Sequence, residues 1–346
     1  MSYDTCLVTG GTGTFGTSYI IEGIQNDWHK KIIIYSRDEY KQLQLYTFLK
    51  SHFKHLEILD DLPPYSLKIN NTEIRFFIGD ICDYERIKIA TMGVDLVIHA
   101  AALKHVHICE YNPMEATKVN VGGTTNVVNA CGANGVSRLV ALSTDKAVDP
   151  INVYGASKLC LEKLVIGGNN YYPNTSMSVV RYGNILGSRG SIIHKLLTSK
   201  ESKSFITDPL MTRFWLSIED AVALVRKSLS INDYTGFVLV PKLKSLEVGK
   251  LFQLLQKEDA EVTGPRVGEK THEKMITEED LRKTFYCKDI DSYLIHDKVL
   301  SFNLEDTVKG SMSSYASNSS STIPWQDEEF LSHLDGSIIS KLYKTF

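Results

Sequence analysis

The stretch "LSTDKAVDPINVYGASK", Leu142 to Lys158, is dense in side chains that can move protons. Tyr154 and Lys158 stand four residues apart, so on a helix they share one face. An ammonium beside a phenol lowers its pKa, and the resulting base can take the proton of a secondary alcohol while a nicotinamide takes the hydride. Lys158 would also hold the nicotinamide ribose, and Thr144 would hold the same alcohol oxygen as the phenol. Asp145 and Lys146 are surplus to that reaction and call for another step.

Dehydration supplies it. Once C4 of a hexose is a ketone, the C5 hydrogen is acidic; a base at C5 and an acid at O6 then expel water, and the stored hydride returns to C6. Asp145 and Lys146 are the right types for acid and base, provided Lys146 is neutral when it acts. Burial near Lys158 and a cationic nicotinamide are expected to push its pKa down.

These groups need a scaffold, and the first half of the chain supplies one. Short β-branched runs at Thr5–Thr9, Lys31–Tyr35, Glu73–Ile78, Leu96–His99, Leu139–Ser143 and Ser178–Tyr182 alternate with helical periodicity at Phe15–Gln25, Glu39–Phe53, Tyr84–Met92, Pro113–Asn134 and Val153–Gly167. That alternation predicts an α/β fold, a Rossmann-type doubly wound parallel sheet. The expected organisation is a nucleotide-binding domain over 1–182, completed by about 214–241, and a smaller interleaved substrate-binding lobe from 183–213 and 242–300. Residues 301–346 form a tail in which Gly310–Thr322 reads as a flexible or loosely packed low-complexity tract. The linker His55–Asn71 reads as an irregular insertion.

"LVTGGTGTFG" places Gly10, Gly13 and Gly16 between the first strand and the first helix, where backbone must approach a pyrophosphate; Thr14 and Phe15 open that helix. At the end of the second strand, where an NAD enzyme would present an acid to the ribose, stand Ser36 and Arg37, with Lys41 one turn on. A hydroxyl and a guanidinium suit a 2'-phosphate, so the expected cofactor is NADP, with Asp38 as the group that would instead favour NAD. Asp80 and Ile81 end the third strand, where Asp80 would accept from the adenine amino group. Ala100 and Ala101 end the fourth, where small side chains let a dinucleotide pass. His105, His107 and Cys109 are spaced two apart and would converge only on a strand, whereas this segment leads into a helix; no metal is expected.

With 346 residues, 43% hydrophobic and 23% charged, at a net charge of -3, the composition is that of a globular protein and gives no electrostatic reason to expect nucleic acid or a membrane surface as partner. The six cysteines are scattered through apolar segments without a C-x-x-C, as expected of buried, reduced thiols in a cytoplasmic protein. No window approaches a membrane span.

At these residues the sequence resembles the extended short-chain dehydrogenase/reductase superfamily. More narrowly, it resembles the soluble nucleotide-sugar 4,6-dehydratases that act on UDP-N-acetylglucosamine and invert C5. The matching stretches are "LVTGGTGTFG", "YSRDEYKQ", "AALKHVHICEYNP", "LSTDKAVDPINVYGASK", "VVRYGNILGSRGS", "ITDPLMTRFWLS" and "VGEKTHEKMITEED". The resemblance implies formation of UDP-2-acetamido-2,6-dideoxy-β-L-arabino-hex-4-ulose, NADP retained through the cycle, and a homo-oligomer, dimeric or hexameric. It implies that Lys104 lies near both cofactor and sugar, and that Asn184, Arg189, Leu210, Met211, Arg266 and Glu269 surround the UDP-sugar. Arg266 suits a diphosphate and Glu269 a ribose hydroxyl. Two other readings compete. A UDP-sugar 4-epimerase needs the Tyr/Lys pair but no C5 base, and a non-catalytic NADP-binding regulator needs neither.

Overall fold

The computed structural model describes residues 3–53, 56–57, 65–198, 204–231, 234–255, 259–296, 314–318 and 322–336. Its strands begin with β1 (Thr5–Thr9), β2 (Lys31–Ser36), β3 (Leu56–Glu57), β4 (Ser66–Ile69), β5 (Thr72–Ile78), β6 (Leu96–His99), β7 (Arg138–Thr144) and β8 (Ser176–Tyr182). The helices of this half are α1 (Thr14–Gln25), α2 (Glu39–His52), α3 (Tyr84–Ala90), α4 (Val106–Tyr111), α5 (Pro113–Thr117), α6 (Gly123–Ala133) and α7 (Val153–Tyr171). An 11-stranded sheet runs in the order Thr284–Cys287, Ser292–His296, Phe237–Pro241, β8, β7, β6, β1, β2, β5, β4, β3. From Phe237–Pro241 through β5 all neighbours are parallel. Helices cover both faces, which is why strands such as β7 are buried at every position. This is the expected doubly wound Rossmann-type architecture, and the order reverses between β1 and β6, the place where such sheets bind ligands.

Several boundaries differ from the sequence reading. Residues 284–296, expected in the smaller lobe, form two antiparallel strands on the edge of the main sheet, with Tyr293 and Leu294 paired to Val240 and Leu239. Thr212–Leu216, at the start of the segment expected to complete the nucleotide half, instead joins a four-stranded sheet with Asn184–Ile185, Lys244–Glu247 and Ile323–Pro324. Behind that sheet Trp215, Leu246, Leu251, Trp325 and Phe330 make a separate apolar cluster, so part of the tail is core. The expected insertion contributes β3 and β4, antiparallel extensions at the opposite edge; residues 54–55 and 58–64 lie outside those described.

The tract expected to be flexible is not so at its centre. Tyr315 and Ala316 pair antiparallel with Ile276 and Lys274, and Tyr315 is 1% exposed with its hydroxyl donating to Leu243 O at 3.0 Å. Low complexity around an aromatic anchor does not prevent packing when that anchor fills a core. Residues 310–313 and 319–321 of the tract lie outside the described set. Among the cysteines, Cys6, Cys109 and Cys131 are buried as expected, whereas Cys160 is exposed on α7.

The single helix expected over Pro113–Asn134 is interrupted by a π-turn at Lys118–Gly122. The widened turn presents buried Asn120, whose Oδ1 accepts from Leu103 N–H at 2.8 Å and whose Nδ2 donates to Leu103 O and Ser157 Oγ, both at 2.9 Å. A π-bulge of this kind serves to aim a side chain. Here it ties the loop after β6 to α7, the helix carrying Tyr154 and Lys158.

Candidate active site

A cleft of about 660 Å³ opens at the carboxyl ends of the strands, across the β1/β6 switch point. Its first part is the glycine turn. Gly10 has φ +66°, and a Cβ there would lie 2.9 Å from Ala101 N, so only glycine lets the turn and the loop after β6 approach each other. Gly13, Thr14, Phe15 and Gly16 line the cleft beneath the start of α1, whose free N–H groups favour an anion. Ala100 and Ala101 line the other side.

At the adenosine end, Ser36, Arg37, Asp38, Lys41, Asp80 and Ile81 all reach the cleft. Asp38 caps α2, its Oδ1 accepting from Lys41 N–H at 3.0 Å while Lys41 Nζ lies 3.0 Å from Oδ2. Those contacts hold the carboxyl below the usual range. Arg37 Nη1 is 3.5 Å from Asp80 Oδ2. Burial works against the Asp80 carboxylate, but the Cys82 N–H and Arg37 keep its pKa low.

At the chemical end, Thr144, Lys146, Tyr154 and Lys158 face the cleft, joined by Lys104, Asn184 and Arg189. β7 ends at Thr144, which caps a single 3-10 turn, Asp145–Ala147. Asn152 then caps α7, accepting from Gly155 N–H at 2.7 Å. Gly155 is required because a Cβ would collide with the carbonyl oxygen of Lys146, so its absence lets α7 pack directly on the turn. Sequence thus delivers the phenol and the Asp-Lys pair to one place.

The electrostatics differ from expectation. Burial pushes the Tyr154 phenol up to about 12, and the groups that pull it back are the Lys146 ammonium and a hydrogen bond with Thr144. Lys158 is not among them: it is buried, donates to Leu142 O at 2.5 Å, and burial draws its ammonium down to about 8, with Glu162 opposing. Lys146 also departs from the reading. Burial alone would lower it, but Asp145 Oδ1 at 3.0 Å and Glu273 Oε1 at 3.3 Å outweigh that and raise it above the ordinary lysine value. The resting Lys146 is therefore an ammonium, not a neutral amine. Asp145 is fully buried, accepts from Thr144 Oγ1 at 2.9 Å, and leaves Oδ2 without a partner. Burial, reinforced by Glu273, raises its pKa against the pull of Lys146.

The implied substrate residues divide. Lys104, Asn184 and Arg189 are in the cleft, with Asn184 Oδ1 accepting from Lys146 Nζ at 3.2 Å and the Lys104 ammonium lowered by desolvation and by Arg189. Leu210, Met211, Arg266 and Glu269 do not line it. Met211 is 1% exposed and packs with Ile206, Val248 and Phe252, so it is core; Leu210 is exposed beside it. Arg266 is exposed, and its N–H donates to Glu269 Oε2 at 3.1 Å, which closes a local turn and occupies that carboxylate.

Three groups with a bearing on the site, Glu162, Glu273 and Arg213, were missed. Glu162 takes two hydrogen bonds from Arg181, at 2.9 and 2.6 Å, and one from Ser143 at 2.6 Å, locking α7 to β7 and β8 beneath Lys158. Its spacing of four from Lys158 was a readable sign. Glu273 and Arg213 had no local sign, because they reach the turn from distant segments.

The chain matches the family model for polysaccharide biosynthesis proteins over residues 6–294. It is 43% identical over 285 residues to an inverting UDP-N-acetylglucosamine 4,6-dehydratase of Campylobacter jejuni, covering 81% of this chain and 79% of that one. It is 38% identical over 301 residues to a UDP-glucose 4-epimerase of Rickettsia bellii, covering 84% and 81%. The X-ray structure of Pen from Bacillus thuringiensis superposes with a TM-score of 0.83 at 29% identity, covering 97% of this chain and 98% of that one. On this match the chain belongs to the polysaccharide biosynthesis protein family.

Proposed function

We propose that the protein is a UDP-N-acetylglucosamine 4,6-dehydratase that inverts C5, with NADP as its resident cofactor. The observation that carries the reading is the Asp145-Lys146 pair, hydrogen-bonded at 3.0 Å: Lys146 lines the same cleft as Tyr154, and Asp145 lies buried directly behind it. An epimerase moves a hydride off C4 and back and has no task for such a pair.

The cradle fits a dinucleotide: glycines stand where a Cβ would strike backbone, and the cleft runs from Ser36 and Arg37 to Lys158. NADP rather than NAD is supported by the occupied Asp38 carboxylate, which is spent on the α2 cap, and by the two cations Arg37 and Lys41 at the same end. Bound there, the dinucleotide would supply the hydride acceptor for C4 and the hydride donor for C6.

The residues do the rest. Tyr154 takes the O4 proton; the nearby Lys146 cation and Thr144 stabilise the phenolate that burial disfavours. Lys158, which lines the cleft, would hold the nicotinamide ribose. A proton passed from Lys146 to Asp145 along their hydrogen bond leaves an amine that removes H5 and an acid that protonates O6, releasing water, after which C5 is reprotonated from the opposite face. Lys104, Asn184 and Arg189 hold the sugar diphosphate.

Proton NMR of the purified protein with UDP-N-acetylglucosamine tests this. A new C6 methyl signal on an L-arabino-configured 4-ketose is expected. A UDP-N-acetylgalactosamine product with C6 unchanged would give the epimerase reading, and a D-xylo ketose would remove the inversion.

A further inference from the structure

Behind the catalytic turn, on the side away from the cleft, runs the segment 268–276. It grips the turn at four points. Asn152 Nδ2 donates to Gly268 O at 2.7 Å, Lys270 Nζ to Val148 O at 2.5 Å, and Lys274 Nζ to Asp149 Oδ2 at 2.9 Å; between them Glu273 Oε1 lies 3.3 Å from Lys146 Nζ. Glu273 is 2% exposed and does not line the cleft. Its backbone is fixed on both sides by Ser317 of the tail, which accepts from Glu273 N–H at 3.0 Å and donates to Glu273 O at 2.8 Å; Ser317 Oγ in turn meets Thr212 Oγ1 at 2.6 Å. A buried carboxylate anchored this firmly, pointing at the side chain of a catalytic residue, is not explained by binding of substrate or cofactor.

We propose that Glu273 is a positioning residue for the dehydration step: it holds the Asp145–Lys146 pair as an ion pair at rest and sets the pH range over which that pair exchanges its proton. The proposal rests on the dehydratase reading. Moving one proton along the 3.0 Å hydrogen bond from Lys146 Nζ to Asp145 Oδ1 makes an amine and a carboxylic acid together. The amine then takes H5 and the acid gives its proton to O6 as the C6–O bond breaks. The pair ends as ammonium and carboxylate, its resting state, so elimination consumes no external acid or base. Glu273 contacts the Lys146 end and favours the ammonium there, while its charge also raises the Asp145 carboxyl behind it.

The charged groups around Lys146 come from four elements. Asp145 lies on its own turn, Tyr154 on α7, Arg213 on Thr212–Leu216, and Glu273 with Lys270 on the segment behind. Arg213 Nε is 4.0 Å from Glu273 Oε1 and Lys270 Nζ is 3.9 Å from Oε2, so these cations balance the carboxylate. Removing Glu273's charge lowers the proton affinity of Lys146, and removing Lys270's charge strengthens Glu273 and raises it. A carboxylate this close shifts a partner's pKa by about 1–3.

The test uses Glu273→Gln and Lys270→Gln in the NADP-loaded protein, both of which keep a hydrogen-bonding group. Two rates are followed against pH with UDP-N-acetylglucosamine: C4 oxidation as transient absorbance at 340 nm, and dehydration as deuterium uptake at C5 in deuterated water. The expected result is a dehydration profile displaced by about one pH unit toward acid in Glu273→Gln and toward alkali in Lys270→Gln, with C4 oxidation within a few-fold of wild type. Stationary profiles, displacement of both variants in the same direction, or equal loss of both rates would overturn the role. If Glu273→Gln does not fold, the alkaline displacement in Lys270→Gln is still required, and its absence overturns the role. Failure of the wild type to form the methyl product would instead remove the dehydratase reading.

Discussion

Lys158 sits in the cofactor-free protein at a cost that should be measurable. Burial lowers its pKa from 10.5 to about 8, which corresponds to about 3 kcal/mol of differential interaction. Below pH 8 both the folded and unfolded chains carry the proton, so the folded state bears the whole cost. Between pH 8 and 10.5 the unfolded chain binds more protons than the folded one, so this group's contribution to stability rises with pH; above 10.5 the cost is gone. Lys158→Met keeps the aliphatic stem and removes the charge, while losing the hydrogen bond to Leu142 O, worth about 1 kcal/mol. The variant freed of cofactor should therefore be about 2 kcal/mol more stable than wild type at pH 7, and the advantage should vanish by pH 10.5. Urea unfolding of both proteins at pH 7, 9 and 10.5 gives the difference directly. A variant less stable than wild type at pH 7, or a difference independent of pH, would refute the burial argument. Catalysis should be lost in the variant throughout, which is the usual relation between a strained functional group and stability.

Three further outcomes follow from single contacts. Arg37→Ala should weaken NADP by about 1–3 kcal/mol and leave NAD nearly unchanged in fluorescence titrations; equal affinity of the wild type for both cofactors would contradict the assignment. Tyr154→Phe should abolish the 340 nm signal on addition of UDP-sugar while cofactor affinity stays within a few-fold; continued C4 oxidation would show that another base serves O4. Tyr315→Phe should destabilise the protein by about 1–3 kcal/mol in urea, because it leaves the buried Leu243 N–H and C=O without their partner, and an unchanged midpoint would mean that the tail segment does not contribute to the core.

How much of this was readable from sequence follows the range of each interaction. The parallel strands and their helices are set by local periodicity, and Thr5–Thr9 and Leu96–His99 fall where the pattern puts them. The Tyr154-Lys158 pair and the Asp145-Lys146 turn are encoded within one stretch, so their convergence needed only a strand, a turn and a capped helix. The π-turn at Asn120 was not legible, because its cause is a set of hydrogen bonds to Leu103 and Ser157 rather than a helix-breaking residue. The return of 284–296 to the main sheet depends on pairing with Phe237–Pro241, which composition does not specify. Most consequential is the charge of Lys146. Its own neighbourhood suggested a depressed pKa, and the opposite holds because the adjacent Asp145, joined by Glu273 from another part of the chain, favours the ammonium.

The central claim, that one closed site oxidises C4, eliminates across C5–C6 and returns the same hydride to C6, is tested most directly by isotope tracing. UDP-N-acetylglucosamine deuterated at C4 is mixed with an equal amount of undeuterated, 13C6-enriched substrate and turned over in ordinary water, and the products are resolved by mass spectrometry and NMR. The account predicts that the C4 deuterium appears in the C6 methyl of the same molecule, with solvent hydrogen at inverted C5 and no deuterium in the 13C-enriched product. Deuterium retained at C4, or scrambled between the two product pools, would contradict it.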